Sequence, residues 1–99
     1  MSLKEDKYLV RLREMVTDFF KGEDAKVVLY GSRARGTHHA TSDVDIGIIP
    51  KGKQEIKIFL LREKIEESTI PYKVDVVNLK EASPRFKRAV MKDAVIWKN

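Results

Sequence analysis

Lys26-Val27-Val28-Leu29-Tyr30-Gly31-Ser32 and, ten residues further on, Asp43-Val44-Asp45-Ile46-Gly47-Ile48 are the stretches that decide how this chain folds. The first is a short apolar, β-branched run that stops at a glycine, the pattern of a buried strand ending in a tight turn. In the second, Val44, Ile46 and Ile48 alternate with Asp43, Asp45 and Gly47, the period-2 signature of a strand with one core face. Pro50 and the turn residues Lys51-Gly52-Lys53 close it. A third acid stands between apolar residues in Val74-Asp75-Val76. Burying a carboxylate costs several kcal/mol unless a cation or hydrogen bonds compensate it. Three acids on otherwise apolar strands, with a Gly-Ser turn beside them, predict a magnesium-dependent nucleotide site.

Outward from this centre the chain alternates helix and strand. Leu9, Leu12, Val16 and Phe19 recur at helical spacing, predicting an amphipathic helix from Glu5 to about Phe20 that ends near Gly22. Ser32 to Ser42 is polar and reads as loop, with one helical turn starting at Ser32. Gln54 to Glu67 carries Ile56, Phe59 and Leu60 on one side and Ile58, Leu61 and Ile65 close by, a wide apolar stripe expected to pack on a sheet. Tyr72 to Val77 reads as a third strand. Ser83-Pro84 combines an N-cap with proline at the first helical position and opens a helix to about Asp93. Val95-Ile96-Trp97 fits a helical continuation or a final strand by periodicity, and its two β-branched residues and tryptophan favour strand. The order describes an α/β (α+β) fold, a mixed sheet of three to four strands packed by about three helices, expected as a single domain over residues 1–99.

Composition narrows the function classes. Hydrophobic residues at 42% and charged residues at 35% describe a soluble globular chain. No apolar run approaches the roughly 20 residues that span a bilayer, and Met1 to Val10 lacks the apolar core of a signal peptide, so the expected location is the cytoplasm, with no membrane contact. The chain has no cysteine, which excludes disulfides, thiolate metal sites and cysteine nucleophiles. A net charge of +5 favours anionic ligands or an acidic partner, although much lysine only solvates helices.

On a strand, residues i and i+2 project to one face about 6.6 Å apart, so Asp43 and Asp45 project together. Carboxylates at that spacing suit Mg²⁺, which takes one or two protein carboxylates and completes its octahedron with water and phosphate oxygens. Asp75 from a neighbouring strand is placed to add a third ligand. Gly31 lets the backbone approach a phosphate, and Ser32 offers a hydroxyl and an N–H. Arg33 and Arg35 follow as candidates for neutralising a triphosphate or its departing pyrophosphate, with solvent or a surface acid the alternative for one of them. No Gly-Lys-Ser/Thr phosphate loop and no Gly-x-Gly-x-x-Gly fingerprint is present.

Tyr30-Gly31-Ser32-Arg33-Ala34-Arg35-Gly36, then Ser42-Asp43-Val44-Asp45-Ile46, then Val74-Asp75-Val76 resemble the motif of the minimal nucleotidyltransferases of the DNA polymerase β superfamily. The resemblance covers the chain from about Val27 onward. It implies that Asp43 and Asp45 bind two magnesium ions, and that Asp75 binds the catalytic ion and helps activate the acceptor oxygen. Gly31 and Ser32 would then hold the phosphates of ATP or another nucleoside triphosphate. Such proteins are similar to antitoxins that act beside a small helical HEPN-domain toxin by moving AMP from ATP to a toxin tyrosine. Two other roles stay open: a non-catalytic antitoxin that acts by binding, and nucleotidyl transfer to a small molecule. Direct nucleic-acid binding is not expected.

Among the remaining candidates, His38 and His39 are adjacent, which seldom suits one metal ion, and are read as exposed loop residues. Tyr30 and Tyr72 are read as core or rim residues, with stacking on a nucleobase as the alternative. Trp97 is read as a packing residue.

Overall fold

The protein is described from a computed structural model, and the residues described are 6–39 and 42–99. Its elements are α1 (Lys7–Phe19), β1 (Ala25–Tyr30), α2 (Ser32–Arg35), β2 (Val44–Pro50), α3 (Glu55–Glu66), β3 (Val74–Asn78), α4 (Pro84–Asp93) and β4 (Val95–Lys98). The predicted helix start at Glu5 lies outside the described residues. Asp6 caps α1 by accepting the N–H groups of Tyr8 and Leu9. Ser83 caps α4 by accepting the Phe86 N–H at 3.1 Å, with Pro84 at the first helical position as expected. Residues 95–98 form a strand.

The four strands make one mixed sheet in the order β3-β2-β1-β4. β1 runs antiparallel to both β2 and β4, while β2 and β3, joined through α3, are parallel. Alternation divides the strand residues between two faces. Val27, Leu29, Val44, Ile46, Ile48 and Val76 join Leu12 and Val16 of α1 and Ile58, Leu61 and Ile65 of α3 in the main core. Burial of each such side chain contributes about 1.5–3 kcal/mol. On the other face Val28 packs with Leu79 and Val90, so α4 covers that side, with Tyr30, Ile49 and Val77 at its margin.

Two expectations need correction. The wide stripe of α3 is only half used: Ile58, Leu61 and Ile65 are buried, whereas Ile56, Phe59 and Leu60 stay 71%, 53% and 46% exposed. A helix laid on a sheet buries one arc of its surface, and these three residues lie on the arc turned outward. Asp75 is also exposed rather than enclosed by its valine neighbours. Among the described residues β3 is an edge strand that pairs with β2 alone. On its open side Arg62 of α3 donates from Nε and Nη2 to the Val76 carbonyl at 3.0 and 2.8 Å, satisfying an edge acceptor.

Candidate active site

The strand register builds a row of polar groups across three strands. Tyr30 pairs with Asp45 across β1 and β2, and Asp45 pairs with Asp75 across β2 and β3. Registered neighbours share a face, so all three side chains project toward the α4 side. Asp43 lies two residues before Asp45, just ahead of β2 rather than on it, and its charge acts on Asp45. Asp43 and Asp75 are exposed and Asp45 is half-buried. Burial, joined by the charges of Asp75 and Asp43, pushes the Asp45 carboxyl up from its ordinary range, with the Arg35 charge pulling the other way. Burial and the charges of Asp45 and Asp75 push the Tyr30 hydroxyl up to about 12.

Gly31 turns the chain out of β1 with φ 79°, a region that L side chains rarely adopt. A Cβ on residue 31 would overlap Asp45 Oδ2, so the absent side chain also makes room for this carboxylate. α2 starts at once: the N–H groups of Ala34 and Arg35 both donate to the Gly31 carbonyl at 3.1 Å. Gly36, in the left-handed region, ends it after one turn. The predicted turn at Ser32 is therefore present and sits against the acids.

The two arginines part company. Arg35 is exposed, and its charge acts on Asp45. Arg33 is buried, with its guanidinium 4.3 Å above the Tyr72 ring and 3.7 Å from Asp6. It donates from Nε and Nη2 to the Ser42 carbonyl at 3.3 and 3.1 Å. Tyr72 in turn donates its hydroxyl to Asp6. Burial tends to raise the Asp6 carboxyl, but the Tyr72 hydroxyl, the Leu9 and Tyr8 N–H groups and the Arg33 charge outweigh it and hold it below its ordinary range. This network ties the start of α1, the α2 turn, the residue before Asp43 and the approach to β3 together. Sequence reading missed it: only the Asp6 cap position ahead of an apolar-periodic run hinted at it.

His38 and His39 are exposed, as read. The His39 N–H donates to Ser42 Oγ at 2.8 Å, and the Ser42 N–H returns to the His39 carbonyl at 3.0 Å. Phe86 of α4 was not singled out. It meets Tyr30 edge-on at 6.2 Å and stands between two clefts. One is lined by Tyr30, Gly31, Arg35, Ala89 and Asp93, the other by Asp75, Asn78, Glu81 and Ser83. Among the described residues no group of three or more histidine or acidic side chains stands close enough to hold a metal ion together. The donor set nonetheless suits a hard cation: carboxylate oxygens from Asp43, Asp45 and Asp75 at one end of two strands, with Asp45 accommodated by the glycine.

The sequence model of the polymerase beta nucleotidyltransferase family matches residues 14–99. Among solved structures, one described as a minimal nucleotidyltransferase is 26% identical with TM-score 0.72, and the match covers 95% of this chain and 98% of that one. A toxin–antitoxin crystallised with AMP-PNP is 24% identical with TM-score 0.69, over 86% of this chain and 71% of that one. A complex of a tri-AMPylated Shewanella oneidensis HEPN toxin with its MNT antitoxin is 20% identical with TM-score 0.64, over 92% and 69%. No curated protein sequence is significantly similar to the chain. With the family match spanning most of the chain and the strand order placing Asp45 beside Asp75 and Gly31, this chain belongs to the polymerase beta nucleotidyltransferase family.

Proposed function

We propose that the chain transfers AMP from ATP to a tyrosine hydroxyl of a small helical HEPN-type protein, as the antitoxin of that partner. The observation that carries this reading is the registered Asp45–Asp75 pair with Gly31 packed against Asp45, in a chain of this family. The fold neighbours support the finer points by analogy: one holds AMP-PNP, and another pairs an MNT antitoxin with an AMPylated HEPN toxin.

Asp43, Asp45 and Asp75 are the residues that would hold two magnesium ions. Bound there, the metal would neutralise phosphate charge and lower the pKa of an attacking oxygen. The backbone at Gly31 and Ser32 receives phosphate oxygens, and Arg35 adds charge to the departing pyrophosphate. Arg33 serves the site by fixing the Ser42 carbonyl next to Asp43 rather than by touching nucleotide. Asp75, on the edge strand and lining the second cleft, faces the incoming hydroxyl and accepts its proton. One bond forms between the tyrosine oxygen and the α-phosphorus; the bond from that phosphorus to the bridging oxygen breaks, and pyrophosphate leaves.

The test is mass spectrometry of the HEPN-type protein after incubation with this chain, Mg²⁺ and ATP. An adenylyl group on a tyrosine, lost with Asp43→Asn, supports the reading. An unmodified partner whose toxicity is still neutralised by Asp45→Asn would instead assign the chain to inhibition by binding.

A further inference from the structure

We infer that the outer face of α4 is the docking surface for an acidic face of the acceptor protein; the inference rests on the reading of this chain as a transferase with a protein acceptor. α4 carries Arg85, Lys87, Arg88 and Lys92 against one acid, Asp93. At 3.6 residues per turn, Arg85, Arg88 and Lys92 fall on one stripe opposite the buried Val90. All three are exposed. Among the described residues none of them has an ion-pair or hydrogen-bond partner, since the ion pairs are those of Arg33, Lys51 and Lys57. Asp93 does not offset them, because it lines the cleft with Gly31 and Arg35.

Position makes this charge useful. The N-terminal end of α4 supplies Ser83 and Phe86 to the cleft that contains Asp75, so a partner seated on Arg85 and Arg88 has its surface next to the proton-accepting acid. The stripe lies opposite the buried side of the helix, away from Tyr30 and Gly31, and so is not placed to grip the nucleotide. The exposed apolar patch of α3 is less suited to present an acceptor. Its helix packs on the main-core side of the sheet, whereas the acids project to the α4 side. Phe86, 41% exposed and next in sequence to Arg85, offers an apolar contact between the stripe and the cleft that contains Asp75. Arginine with aromatic residues is a combination enriched at protein interfaces. Rim charges of this kind act mainly by steering encounter, so their effect is salt-dependent.

The test uses the full chain and a HEPN-type acceptor protein, and compares wild type with R85E/R88E/K92E and with R85Q/R88Q/K92Q. The expected result is partner affinity at least about tenfold weaker in the reversal variant and intermediate in the neutral one. KM for the partner should rise with kcat unchanged, the salt dependence should flatten, and ATP binding and melting temperature should stay at wild-type values. Equal partner affinity and KM in wild type and reversal variant overturn the proposal. So does failure of the wild type to bind the partner, or wild-type binding to single-stranded oligo(U) RNA through these residues in place of the protein. Charge-dependent binding without any transfer keeps the docking surface and discards the transferase reading; transfer with an unaltered KM in the reversal variant does the opposite.

Discussion

Asp45 and Asp75 are register partners across the parallel β2–β3 pair, so their carboxylates leave the sheet side by side on the face that α4 only partly covers. Burial and the Asp75 charge are the first two causes that hold the Asp45 carboxyl above its ordinary range. The folded chain therefore binds this proton more readily than the unfolded chain does. The charged form weakens the fold at neutral pH, and the penalty disappears as pH falls through the raised folded pKa.

Asp45→Asn should accordingly melt a few degrees higher than wild type at pH 7 without metal, with the difference shrinking in acid. Added Mg²⁺ should raise the melting temperature of wild type and not that of the variant. Thermal scans across pH, with and without Mg²⁺, check both; a variant that melts lower at pH 7 contradicts the placement of Asp45 in a repulsive cluster.

Gly31→Ala should fail twice over. The positive φ disfavours any L side chain, and the new Cβ meets Asp45 Oδ2. A destabilisation of about 1–3 kcal/mol is expected, with ATP affinity reduced beyond what the lower stability explains. Chemical denaturation and nucleotide titration below the transition separate the two effects.

Arg33 and Arg35 should behave oppositely although they are two residues apart. Arg33→Ala strips a buried guanidinium from Asp6, Tyr72 and the Ser42 carbonyl and should destabilise the fold by about 2–4 kcal/mol. Arg35→Ala should leave the melting temperature within about a degree and lower transfer by about 10- to 100-fold. The pair is measured by thermal melts and initial rates.

Acid should unfold the chain partly through Asp6. Its folded pKa is depressed, so its contribution is complete above the ordinary value of 3.8 and is lost as pH falls from there through the folded pKa. Tyr72→Phe removes the hydroxyl that donates to Asp6 and should destabilise by about 1–2 kcal/mol at pH 7. Below about pH 4 the gap between variant and wild type should narrow. A constant gap down to pH 2 would contradict the Asp6–Tyr72 link.

Much of this was legible because local patterns and tertiary demands agree. β2 reads from its period-2 alternation, the Gly31 turn from a glycine ending an apolar run, and α4 from Ser83-Pro84. The register that sets Asp45 opposite Asp75 was not legible, since it depends on how far α3 carries the chain between two parallel strands. The surroundings of Arg33 were not legible for a similar reason: its partners Asp6 and Tyr72 come from distant parts of the chain and meet it only in the folded state. In α3 the apolar stripe is broader than the contact a sheet can make, and periodicity cannot tell which half of it faces inward.

The central claim is tested most directly by following each end of the triphosphate. With Mg²⁺, the HEPN-type protein and wild-type chain, label from α-labelled ATP should appear on the partner while label from γ-labelled ATP leaves as pyrophosphate, and Asp75→Asn should transfer neither. Label on the partner from the γ position, or α-label transferred by Asp75→Asn at the wild-type rate, would contradict the account.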